Sequence, residues 1–271
     1  METKKIFVLG NGFDLAHYLP TAYIHFMEAM QVIESSESNT KLGFDDLFQS
    51  RLEHKDWWFI RIKELYRTDE LVLSVEIVDD LREKLKTNGW FQHFKHHLTD
   101  VDTWIDFEME IEKVLNSFDW IFKTEFEIGT VKNRFTDQDI LLEKGILKAN
   151  DVIISFSYFN KFGILKDSIL DLFYTFGLSR SEYFYKKQDS WGCETLEKIS
   201  NENDFIKSTY RYKNKYENIM QSHFLRRIGE NYLGFYDSKI FQVLSQQLKE
   251  FSEIFSDYLH LKTAAIFLCF I

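Results

Sequence analysis

Gly10-Asn11-Gly12, followed by Asp14, is the group of residues best suited to chemistry in this sequence. It comes directly after Ile6-Phe7-Val8-Leu9, a continuous run of β-branched and aromatic residues that reads as a buried parallel strand. A strand, a Gly-x-Gly turn and a helix form the arrangement that binds phosphates in Rossmann-like folds. Gly10 permits a sharp turn out of the strand. Gly12 removes the side chain that would hold a pyrophosphate off the backbone, and free amides at the next helix start would face the anion. The third glycine of that fingerprint would fall at Leu15 and is missing. A bare Gly-x-Gly serves equally as a tight βα turn with no ligand. Asp14 would repel a phosphate, but it could cap a helix or hydrogen-bond a ribose or a base.

Three further groups could do chemistry. Asp106, Glu108, Glu110 and Glu112 lie on one predicted helix, with Asp106 and Glu110 on one face and Glu108 and Glu112 on another. Paired carboxylates can bind a metal or act as acid and base. Here a solvated face opposite Trp104, Phe107 and Ile111 is the simpler reading. His93 and His97 have the i, i+4 spacing that can grip zinc, but no HExxH glutamate accompanies them. Surface or half-buried helix histidines explain them better, and no metal is expected. Cys193, beside Gly192, has no recognisable partner and reads as an inert thiol.

The elements that must position these residues are mostly helical. Thr21 is the expected N-cap of a helix whose face Tyr23, Phe26, Met27 and Met30 follows i, i+3, i+4, i+7. Glu34 to Thr40 is a polar loop. From Phe44 to about Ile128 the pattern is mainly helical, with a stripe of Trp104, Phe107, Ile111, Val114, Leu115 and Phe118. Val152 to Phe156 suggests a second strand, and Leu165 to Phe173 a helix. Ser179 to Asp204 reads as loop-rich and Lys207 to Ile228 as helical. Phe241 to Leu261 reads as an amphipathic helix, and Ala264 to Ile271 as an apolar run opening a strand.

Composition narrows the class. The chain has 271 residues, 27 of them Phe, and a single proline, Pro20. Such aromatic content excludes global disorder, and the scarcity of proline and glycine argues against an all-β fold. The net charge of −10 disfavours a dedicated nucleic-acid binder, so Arg211 to Lys215 and Arg226-Arg227 read as solvated faces. Two distant cysteines, Cys193 and Cys269, form no disulfide framework, and a reducing cytoplasm fits best. Ile6 to Leu9 is short for a signal peptide core, and no stretch reaches the roughly 20 apolar residues of a membrane helix.

Gly10-Asn11-Gly12-Phe13-Asp14-Leu15-Ala16-His17, followed by Leu19-Pro20-Thr21 and the helix with Tyr23 and Phe26, resembles the N-terminal signature of the AbiH family. That family is associated with bacteriophage abortive infection. The string is also similar to the first glycine loop of sirtuin-like NAD-binding domains. Trp104-Ile105-Asp106-Phe107-Glu108 resembles the family's Trp-x-Asp-x-Glu helix, and Gln247 to Leu259 the helix before its central strand. The resemblance implies NAD or another nucleotide held by Gly10, Asn11, Gly12, Phe13, Asp14, Pro20 and Thr21. His17 would shuttle a proton or anchor the loop, and Asp106 and Glu108 gain weight as catalytic candidates. It implies an α/β fold: a Rossmann-like (sirtuin-like) partial parallel sheet from 1–35 and 241–271, with a large, predominantly helical region over 41–240.

Two departures qualify this. Tyr18 stands where the family usually has glycine, which would narrow the pocket mouth or restrict the loop. The family's later Phe-Asn-Tyr-Thr, His-Gly and Gly-His-Ser-Leu strings do not occur. The expectation is then a chain matching the family's N-terminal portion; aligning Ile153 to Phe159 with the Phe-Asn-Tyr strand instead puts Ser157 at the key Asn. The functional expectation is a cytoplasmic antiphage protein that binds, and in one version hydrolyses, a nucleotide, with a phage component or a second copy as partner. The alternatives are a non-catalytic helical interaction or sensor protein and a metal-dependent nuclease built on Asp106 and Glu108.

Overall fold

The computed structural model describes residues 15–97, 104–123, 126–127, 151–154, 171–188, 194–198, 214–228 and 232–267. The chain divides into two compact units, Met1–Glu112 with Gln246–Ile271, and Lys113–Ser245.

The first unit is a helical assembly built on α1 (Tyr23–Ser35), whose Tyr23, Phe26, Met27, Met30 and Ile33 are all buried. This is the face that the i, i+3, i+4, i+7 spacing predicts. The cap differs from the expectation: Ala22 holds the N-cap position and no side chain caps the helix. Thr21 lies one residue too early, in a tight turn where its amide donates to the Leu19 carbonyl at 2.7 Å. After the polar loop, β1 (Leu42–Gly43) pairs antiparallel with β2 (Val72–Leu73). Between them run α2 (Phe44–Leu47), α3 (Gln49–Glu53) and α4 (Trp57–Leu65). Next come α5 (Val75–Thr87) and α6 (Gly89–His96). Asp56, Ser74 and Asn88 cap α4, α5 and α6 through their side chains, each worth about 1 kcal/mol.

Two long helices, α7 (Trp104–Lys123) and α8 (Asp237–Phe267), contribute to both units. Gln247 ties α8 to the start of α6. Its carbonyl accepts from Asn88 Nδ2 at 2.7 Å and its side-chain oxygen accepts from the Gly89 amide at 3.0 Å. Phe26 is the hub of the core: Phe251, Phe255 and Tyr258 meet its ring steeply, at centroid distances of 5.6, 5.0 and 5.2 Å. Such edge-to-face pairs add about 0.5–1.5 kcal/mol each beyond the area they bury.

In the second unit, Val114, Phe118 and Ile121 of α7 are buried, and Phe118 packs on Phe173 and Phe176. Its sheets are antiparallel. One has the order β3 (Phe126–Glu127), β9 (Tyr232–Phe235), β8 (Leu225–Ile228). The other has the order β4 (Asp151–Ile154), β7 (Asn214–Gln221), β5 (Ser179–Gln188), β6 (Glu194–Lys198).

These pairings overturn the expected Rossmann-like partial parallel sheet. Every strand pair among the described residues is antiparallel, and helices dominate. The apolar run at 152–154 does form a strand, but it pairs antiparallel with β7, Val152 opposite Met220. An apolar run signals a buried strand; only its partner sets direction. Three local expectations also fail. The supposed loop after Ser179 contains β5 and β6, and the supposed helix over Lys207 to Ile228 contains β7 and β8. Tyrosine-rich stretches suit a pleated surface, and here cross-strand pairing, with Tyr183 opposite Tyr216, decides. Residues 264–267 continue α8 instead of opening a strand, since extending an existing helix through Ala264 and Ala265 needs no new nucleus. Among the described residues, no helix is long and apolar enough to cross a membrane. Ile6 to Leu9, Gly10 to Asp14, Ser155 to Phe159, Cys193 and Cys269 lie outside the described residues.

Candidate functional site

The described part of the string that begins at Gly10 is Leu15 to Thr21, and two tyrosine hydroxyls from distant parts of the chain hold it. The Tyr18 amide donates to the Leu15 carbonyl at 3.0 Å, closing a turn. Tyr66 Oη donates to the His17 carbonyl at 2.7 Å, from just beyond α4. Tyr258 Oη, on α8, donates to the Pro20 carbonyl at 2.7 Å in a buried setting. Burial pushes the Tyr258 phenol far up, with the Glu28 carboxylate adding to the effect, so it stays a hydrogen-bond donor. The His17 side chain is exposed, whereas Pro20 and Thr21 are buried. What the structure shows for His17 and Pro20 is therefore backbone anchoring.

Tyr18 has φ of 59°, in the left-handed region that favours glycine. Its ring meets Trp57 at 6.1 Å and Trp58 at 6.2 Å. Trp58 is further enclosed by His25 at 4.8 Å and Phe59 at 5.4 Å. Trp57 is 68% exposed. Nearby, Arg51 grips the Glu28 carboxylate with Nε at 3.0 Å and Nη2 at 2.6 Å, fastening α3 to α1. That bond raises the Arg51 pKa.

A second cluster was only half legible. Glu110 is buried at 6% exposure, contrary to the solvated face expected for it. Its Oε2 lies 3.7 Å from His93 Nε2. Burial, and then the neighbouring His97, holds the His93 imidazole down at about 4, against the opposing pull of Glu110. His93 is therefore neutral at pH 7. The Tyr23 phenol is raised by burial and by the Glu110 charge. Phe107 packs on Tyr23 at 5.5 Å and on Phe94 at 4.3 Å. The signal for Glu110 was present: it sits three residues after Phe107 and four before Val114, on the stripe that is buried.

Of the other predicted residues, Asp106 is half-buried, while Glu108 and Glu112 are exposed. The i, i+4 pairs thus split between the interior and solvent. His93 and His97 do meet, with ring centroids 4.6 Å apart and their planes tilted by 43°. Among the described residues, no group of three His, Cys, Asp or Glu side chains could hold a metal ion. A small cavity lined by Met30, Ile33, Leu47, Leu73, Ile254 and Tyr258 is almost wholly apolar and offers a nucleotide no set of hydrogen bonds.

No protein-family model matches the chain, and neither does any curated protein or solved structure. The local geometry therefore carries the functional reading. It contains one segment held by polar ties to its backbone, with a left-handed tyrosine and an exposed indole beside it, and one buried carboxylate among aromatic rings.

Proposed function

We propose that this chain is an antiphage protein of the abortive-infection type. On this reading it binds a nucleotide such as NAD through Gly10, Asn11, Gly12, Phe13 and Asp14, with Pro20 and Thr21 fixing the segment behind them. The observation that supports it is the backbone at Tyr18. The AbiH-like string usually has glycine there, and this position adopts the left-handed conformation that glycine takes without steric penalty. A residue of a different type has kept the conformation that glycine would supply. The reading no longer relies on a Rossmann-like sheet, and function is argued from the site and not from the fold.

Binding is the core of this proposal. Turnover would be hydrolysis of the nicotinamide–ribose bond by water to nicotinamide and ADP-ribose. The competing reading is a non-catalytic helical interaction protein, favoured by the helical, antiparallel architecture. Titrating NAD into the purified chain by calorimetry, while following its concentration, separates the two. Saturable binding lost in Gly12→Val supports the nucleotide reading; no heat at millimolar NAD rejects it. A plaque assay with cells expressing the wild-type chain or Gly12→Val tests the antiphage role.

A further inference from the structure

We infer that Trp57 is the stacking platform for the planar heteroaromatic ring of an anionic nucleotide, with Lys55 as the adjacent cation. This rests on the nucleotide reading above and adds the site of the ring. Tyr18 and Trp58 are both engaged: Tyr18 leans on the two indoles, and Trp58 is enclosed by Tyr18, His25 and Phe59. Trp57 differs. Tyr18 meets it at an interplanar angle of 83°, an edge-on contact that supports the indole without stacking on it. With 68% of the residue exposed, the indole is open to solvent. An isolated exposed tryptophan would be unremarkable. This one is buttressed by the residue that holds the strained backbone of the diagnostic string.

The charge arrangement selects the kind of ligand. Lys55, two residues before Trp57, is itself left-handed with φ of 54° and makes no ion pair among the described residues. Asp56, between them, is directed elsewhere. It caps α4 through the Trp58 amide at 3.0 Å and faces Arg51 at 3.5 Å. With Asp56 so engaged, Lys55 is the exposed cation nearest to Trp57 in the sequence. An open indole with an exposed lysine two residues away in the chain fits a flat ring carrying a phosphate. Two of the three left-handed non-glycine residues, Tyr18 and Lys55, flank this indole, and held backbone strain of this kind concentrates at ligand sites.

The test uses the full chain with NAD, AMP and ribose 5-phosphate as probes in calorimetric titrations. Base–aromatic stacking predicts that Trp57→Ala weakens NAD and AMP by roughly tenfold or more, that Trp57→Phe recovers most of the loss, and that ribose 5-phosphate is little affected. Lys55→Ala should weaken all three probes. Trp57 is exposed, so its replacement leaves the core intact, which a thermal melt verifies. Unchanged NAD affinity in Trp57→Ala, with binding still lost in Gly12→Val, overturns the platform and leaves the nucleotide reading standing. Weakened binding in Trp57→Ala with full binding in Gly12→Val supports the platform and rejects the glycine turn. Failure of the wild-type chain to bind NAD or AMP overturns both.

Discussion

The segment Leu15 to Ala22 and the His93–Glu110 centre both belong to the first unit, yet they are stabilised in opposite ways. The segment is irregular backbone tied by two tyrosine hydroxyls, with a left-handed residue and aromatic rings open to solvent. The centre is a carboxylate and a neutral imidazole on regular helices, packed among Phe94, Phe107 and Tyr23. The contrast shows where in this molecule exposure and strain are kept and where burial is complete. The buried centre has acid as its weak point, because burial holds the folded His93 imidazole neutral. Strained, anchored backbone beside an open indole is the feature on which the proposed site rests.

The largest effect should come from the core both regions depend on. Phe26→Ala removes the ring that Phe251, Phe255 and Tyr258 surround and should cost about 3–5 kcal/mol in urea unfolding. A loss under about 1 kcal/mol would show that the hub is not shared.

Acid should strike the centre next. His93 has a folded pKa of about 4 against an ordinary 6.5, so only the unfolded chain takes up its proton between those values. Its contribution is complete above about pH 6.5 and falls as the pH drops toward 4, by up to about 3 kcal/mol. Denaturant midpoints measured from pH 7 to pH 4 should slope downward, and His93→Gln should flatten that slope. An unchanged slope would remove pH sensitivity from the centre.

The segment should respond more gently. Tyr258→Phe leaves the buried Pro20 carbonyl without this donor and should cost about 1–2 kcal/mol. Amide exchange over residues 15–22 should speed up, while α6 is unaffected. Equal acceleration in both would erase the distinction between the two regions.

The smallest effect is a difference between two variants. Tyr18→Gly and Tyr18→Ala both lose the ring contacts with Trp57 and Trp58, but only glycine relieves the left-handed backbone. The alanine variant should be the less stable by about 0.5–1 kcal/mol. An alanine variant as stable as the glycine variant would mean that the backbone there is free to leave the left-handed region.

Much of this was legible in the sequence because it is local. The buried face of α1 follows from the spacing of Tyr23, Phe26, Met27 and Met30, and the amphipathic helix over 241–261 from its own period. What was lost depended on partners distant in the chain. Residues 214–221 have a composition that suits helix or strand, and pairing with β4 and β5 makes them a strand. Asn88 and Gln247 are 159 residues apart, and no periodicity links a capping asparagine to a glutamine on another helix.

The sequence by itself determined the helical class of the first unit and its aromatic core positions, because propensity and period act over a few residues. Only the tertiary structure decided that the sheets are antiparallel, that Glu110 is buried against His93 and that Tyr18 is left-handed beneath an exposed Trp57. Each of these depends on which distant surface arrives to exclude water or supply a hydrogen bond, and that follows from the packing of the whole unit.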